Sequence, residues 1–286
     1  MSSQTSFPHS PEGWARFLLA AAVPVLADTA EQLTELALLE ERRGTVDAHM
    51  IAEAVRGDPL MTLKVLSHVG RHRTSHQITE VQTVTAAVVL MGIGPFFHAF
   101  PPAGLRVLEE DLSLDGDRRL QDVMRLLERA WLMARIVTAF ELQHADPHAE
   151  TMQGAAVMHN LAEVLLWCRA PGVAQQLGRD PDQERQREVL GCSLTEVQQA
   201  LIQEACLPSL LGQLLPHIQD AVMASERGQQ AWLLPQRRLL ALSATLAMRA
   251  EGDPAEGLQL DELEELAHWL GLSTPAAERL AQQALR

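Results

Sequence analysis

Apolar residues recur three and four positions apart along most of the chain, and that period sets the fold class. Leu33, Leu36 and Ala37 fall on one helical face, as do Met50, Ile51, Ala54 and Val55, and again Leu60, Leu63, Leu66 and Val69. Tyr is absent, and aromatic residues make up only 4% of the 286 residues, so little of the chain suits a pleated surface. Leu, Ala, Gln and Glu dominate instead, and these are good helix formers. An all-α protein is expected. The hydrophobic share of 47% is enough for one large core or two smaller ones.

The punctuation divides that pattern into helices. Thr29 is placed to cap a helix, with Gln32 closing a capping box and Gly44 ending the run. A second helix stops at Gly57. Asp58 is placed to cap a third, with Pro59 at the first helical position, where its missing N–H costs nothing. "VQTVTAAVVLMG" competes between strand and helix because it is β-branched. Its spacing favours a helix with Val81, Val84, Val88 and Met91 inward.

Pro101, Pro102, Gly104 and Gly116 mark irregular chain holding one short helix. A boundary between two helical lobes is expected there. It gives an N-terminal extension over 1–22, a first lobe over 23–117 and a second over 118–286. In the second lobe a long amphipathic helix is expected from Arg118 to Gln143. Pro147 then opens a helix running unbroken to about Cys168. Charged chain at 179–187 leads to helices near 194–205, after Pro208, and over 217–226, 233–250, 260–269 and 275–285.

A formal net charge of −14 repels phosphates, so neither nucleic acid nor an anionic membrane is an expected partner. Cys168, Cys192 and Cys206 are odd in number and widely spaced, which argues against a disulfide framework or a zinc site and for buried thiols. The apolar stretch after Arg16 is interrupted by Pro24 and preceded by Glu12, so a secretory leader is not expected. No apolar run reaches the roughly 18 residues that span a bilayer. A cytoplasmic protein is the resulting expectation.

Histidines supply the candidate sites. "VMHNLAEVLLW", Val157 to Trp167, sets His159 and Asn160 in an apolar run. On an unbroken helix Glu163, four residues on, would share a face with His159 and pair with it. Packing is the simpler role for such a pair, and a ligand remnant the functional one. His68, His72 and His76 are spaced by four, but Gly70 and a polar loop favour a solvated surface. In "HADPHAE", His144, Asp146 and His148 lie close together, with Asp146 the natural N-cap before Pro147. Phe96 and Phe97 suit core packing better than an exposed patch. No nucleophile elbow or phosphate loop is present.

Several stretches together resemble the HDOD family, bacterial signalling modules related to HD-type phosphohydrolases. "VPVLADTAEQLTEL", "IAEAVRGDPLMTLKVL", "VQTVTAAVVLMG", "AAVMHNLAEVLLW", "RQREVLGCSLTEV" and "CLPSLLGQLL" follow the family's order and spacing over residues 23 to 286. The resemblance implies a two-lobed helical bundle with an HD-domain-like second lobe. HD enzymes hold a divalent metal with spaced histidines and an adjacent His-Asp pair, and the metal activates water. Here His159 matches the histidine of that pair, while Asn160 replaces the aspartate. Ala130, Trp131 and Leu194 stand where further ligands are expected.

The resemblance thus implies a non-catalytic regulatory module that binds a protein or a small signalling ligand, with no metal and no cofactor. His159, Asn160 and Glu163 mark the remnant position. The alternative is a divergent metal-dependent phosphohydrolase acting on a nucleotide or cyclic dinucleotide, with His159, Glu163 and His217 rebuilding a site.

Overall fold

The structure, a computed structural model, describes residues 7–73, 80–113, 117–141, 148–179, 181–215, 233–252 and 258–285. Every regular element among them is a helix apart from one isolated parallel bridge, Val25 to Val107. The first seven are α1 (Pro11–Leu19), α2 (Ala27–Arg43), α3 (Ala48–Val55), α4 (Pro59–Arg71), α5 (Val84–Met91), α6 (Ile93–Ala99) and α7 (Leu108–Ser113). There follow α8 (Asp117–Glu141), α9 (Ala149–Val157), α10 (Leu161–Arg169), α11 (Pro171–Leu177) and α12 (Gln183–Leu190). The last are α13 (Leu194–Glu204), α14 (Ser209–Leu214), α15 (Leu234–Gly252), α16 (Leu260–Leu270) and α17 (Thr274–Leu285). None is long and apolar enough to cross a membrane.

The chain forms two compact units that interleave along the sequence. One takes Met1–Val123 with Leu161–Gly212, and the other Met124–Asn160 with Gln213–Arg286. The stretch 161–212 therefore joins the N-terminal helices. In the first unit, α1 lies within the expected extension and packs on α13. Trp14 is fully buried and its Nε1–H donates to the Leu190 carbonyl at 3.0 Å. Leu18, Leu33, Ile51, Leu60, Met61 and Phe96 complete the interior. Phe96 is buried with its ring tilted against that of Phe100, centroids 5.2 Å apart, while Phe97 beside it is part-buried. In the second unit α9 packs on α15 and α16 on α17, around Leu126, Phe140, Met152, Leu246 and Leu266.

The start of α2 differs from its sequence signal. The helix begins at Ala27, two residues before Thr29, and no side chain of its own caps it. Two distant carboxylates do so instead. Asp58 Oδ2 accepts from the Leu26 N–H at 2.8 Å, and Glu109 Oε2 from the Ala27 N–H at 2.9 Å. Thr29 sits inside the first turn, and its hydroxyl also bonds Asp58. Asp58 meanwhile caps its own helix α4, accepting from the Leu60 and Met61 N–H groups at 2.8 and 2.9 Å. One buried carboxylate thus satisfies orphan donors at two helix starts.

Other differences are local. Over 84–91 the expected helix forms as α5, capped by Thr83, but its buried residues are Ala87 and Val88, with Val84 and Met91 only partly buried and Val81 outside the helix. The charged chain expected at 179–187 contains the start of α12, capped by Asp182, and α6 and α11 had no clear signal. Gly44 ends α2 in the left-handed conformation, φ 60°, which costs least without a Cβ. The expected helix over 217–226 and its neighbour His217 lie outside the described residues, as do His76, His144, Asp146, Pro147 and Gly116.

Replacing Asp58 by Ala leaves three buried N–H groups without an acceptor. A loss on the order of 3 kcal/mol is expected in urea unfolding of the Asp58→Ala variant. A loss below about 1 kcal/mol would mean that Asp58 does no more than an ordinary exposed cap.

Candidate functional site

The helix expected to run unbroken through "VMHNLAEVLLW" is interrupted. α9 ends at Val157, residues Met158 to Asn160 form a turn, and α10 starts at Leu161. The first N–H groups of α10 find a partner on another helix. Gln198 of α13, itself buried, offers Oε1 to the Ala162 N–H at 2.7 Å. This side-chain cap lets a new helix begin where a continuous one was expected. His159 and Glu163 therefore do not lie one turn apart on a single helix. His159 and Asn160 belong to the second unit, and Glu163 lies in the first turn of α10 in the first unit.

His159 is held in the turn, with its N–H bonded to the Ala156 carbonyl at 3.2 Å. Burial, and then the nearby Arg129 guanidinium, push its imidazole down to about 4. Arg129 is fixed by Glu251 of α15, with Nε to Oε1 at 2.9 Å and Nη2 to Oε2 at 2.5 Å. The ring is therefore neutral near pH 7, and a cation drawn to it would meet a positive charge. Asn160 turns the other way in its hydrogen bonding: its Nδ2 donates to the Leu126 carbonyl of α8 at 3.4 Å, a long bond. An amide that donates to a backbone carbonyl is a helix-packing contact.

The remaining expected ligand positions hold no ligands. Ala130 is buried in α8, Trp131 beside it is partly buried, and Leu194 opens α13 behind the Ser193–Glu196 capping box. Among the described residues no three His, Cys, Asp or Glu side chains converge as a metal would require.

His68 and His72 do come together, with rings 4.3 Å apart and His72 Nδ1 2.7 Å from the His68 carbonyl. Burial, and then His72, hold the His68 imidazole below its ordinary value. The neighbouring Arg73 reaches Glu80, whose other oxygen bonds Ser209 across 129 positions of sequence. Only the tertiary fold creates that link, and no sequence signal marks it. Cys168 and Cys192 are enclosed enough to push their thiols up to about 12 and about 11, whereas Cys206 is exposed, contrary to the expectation of buried thiols.

Comparison with known proteins adds identity to this geometry. A sequence profile of the HDOD domain matches residues 23–220. The fold is similar to that of the MmoQ response regulator of Methylococcus capsulatus strain Bath, with TM-score 0.68 at 16% identity, covering 92% of this chain and 99% of that one. It is also similar to a virulence factor of Campylobacter jejuni subsp. jejuni, with TM-score 0.61 at 15% identity, covering 96% and 99%. At these identities the likeness is one of fold. No curated protein sequence matches the chain.

The depressed imidazole fixes a pH dependence. Between about pH 6.5 and 4 the unfolded chain binds a proton at His159 that the folded chain refuses. Folding stability falls as pH drops through that window, by an amount on the order of 2–3 kcal/mol for this group. His159→Gln removes this titrating group. Urea unfolding from pH 7 to 4.5 is expected to show a shallower loss in the variant than in the wild type, and parallel losses would show that His159 titrates normally in the folded state.

Proposed function

Because this chain belongs to the HDOD domain family, we propose that it is a non-catalytic regulatory module that acts by binding a protein or small ligand. The observation that carries this reading is the state of the HD-like position. His159 is neutral beside a guanidinium, Asn160 spends its amide on a backbone carbonyl, and the helix between them and Glu163 is broken. Metal-assisted hydrolysis needs a ligand set that holds the ion open to water and substrate. Asn160 is engaged with the α8 backbone instead, and His159 lies part-buried in the turn. The name response regulator carried by the similar Methylococcus chain is in keeping with a signalling role.

The phosphohydrolase alternative makes opposite demands. It needs His159 accessible to a cation and a carboxylate at or near position 160. Restoring one ligand does not supply the others, so Asn160→Asp is expected to hydrolyse neither bis(p-nitrophenyl) phosphate nor a cyclic dinucleotide in Mn²⁺. The wild-type protein is expected to retain no stoichiometric transition metal by elemental analysis. Bound metal that disappears in His159→Ala, or hydrolysis by either protein, would overturn the regulatory reading.

A further inference from the structure

The first unit contains a cavity of about 190 Å³, whose lining includes neither His159 nor Asn160. Its apolar wall is Leu66, Val69, Val81, Leu207 and Pro208. The wall is preformed, because α4 and the 206–208 segment meet without a side chain between them. A Cβ on Gly70 would lie 2.0 Å from the Cys206 carbonyl oxygen, so only glycine permits the approach. Pockets for drug-sized ligands run from about 300 Å³ upward. This one is smaller, and its walls fit a molecule of about leucine's size.

The polar part of the lining defines that molecule's chemistry. Arg73 and Glu80 bring one charge of each sign to the cavity, with Nη1 and Oε1 3.1 Å apart. Both side chains are partly exposed, so the charged ends of a small solute can reach them. Glu80 is anchored independently, since its Oε2 accepts from the Ser209 N–H at 2.8 Å and from the Ser209 hydroxyl at 2.5 Å. It keeps its place when Arg73 turns to another partner. A ligand of one charge would satisfy one member of the pair and leave the other facing it uncompensated. A zwitterion with an apolar body satisfies both charges and the wall.

We propose that this cavity binds a free apolar α-amino acid of about leucine's size, with its carboxylate on Arg73, its ammonium on Glu80 and its side chain against Leu66, Val69 and Val81. The proposal refines the ligand-binding part of the regulatory reading, and its test involves no metal and no hydrolysis, so either can fail without the other.

The test is isothermal titration of the full-length protein with L-leucine, with 4-methylpentanoate and 3-methylbutylamine as analogues lacking one charge each. Saturable binding of L-leucine is expected, with each analogue weaker by about tenfold or more, the effect of one charge-assisted contact. Val81→Trp fills the cavity from a position outside any helix and is expected to abolish binding. The exposed Cys206 thiol at the cavity gives a second readout on the unaltered protein, since L-leucine should slow its reaction with Ellman's reagent and the two analogues should not. No saturable heat up to about 10 mM L-leucine, equal binding of the analogues, or full binding by a folded Val81→Trp protein would overturn the proposal.

Discussion

The Asp58 carboxylate is the point on which the first unit depends. It has no exposed surface, yet it accepts from three backbone N–H groups and the Thr29 hydroxyl. Burial pushes its carboxyl up, and the hydrogen bonds pull against that shift. Removing any donor would leave the charge poorly solvated, so the bonds are obligatory. They bring the chain before α2 onto the start of α4. Val25 then pairs with the chain on either side of Val107, and Glu109 reaches Ala27. Lys64 closes the group by donating to the Val23 carbonyl at 3.1 Å. Three segments far apart in sequence are thereby tied together, around the fully buried Asp58 and through part-buried contacts at its edge.

The same device recurs where an enzyme would place its chemistry. Gln198 caps α10 across the fold as Asp58 caps α2, and the turn before α10 carries His159 and Asn160. The polar residues of the HD-like position have thereby become parts of helix termini and helix contacts. An HD-type metal site would need them free to face an ion.

Some helices were legible in the sequence from residues at their own ends, although α12, capped by its own Asp182, was not. Asp58 with Pro59 marked α4, and Gly44 marked the end of α2. The spacing in "VTAAVVLM" outweighed its β-branched composition. What escaped was decided by tertiary partners. The true start of α2 depends on Asp58 and Glu109, and the break at 158–160 depends on Gln198, 36 positions away. The sequence identified His159 and Asn160 as a remnant through the missing aspartate. The Arg129 guanidinium beside His159, and the cavity that brings Arg73, Glu80 and Cys206 together, became visible only in three dimensions.

The central claim is that His159 is a neutral, packed side chain and not a metal ligand in waiting. Imidazole ¹⁵N NMR of the intact protein tests it at the atom concerned, with His159→Gln used to assign the signal. The account predicts that the His159 ring stays neutral on acidification to about pH 5, below the ordinary histidine value, and that its resonances do not move with one equivalent of Zn²⁺ or broaden with one of Mn²⁺. A ring that titrates at the ordinary histidine value, or that responds to either metal at stoichiometric concentration, would contradict it.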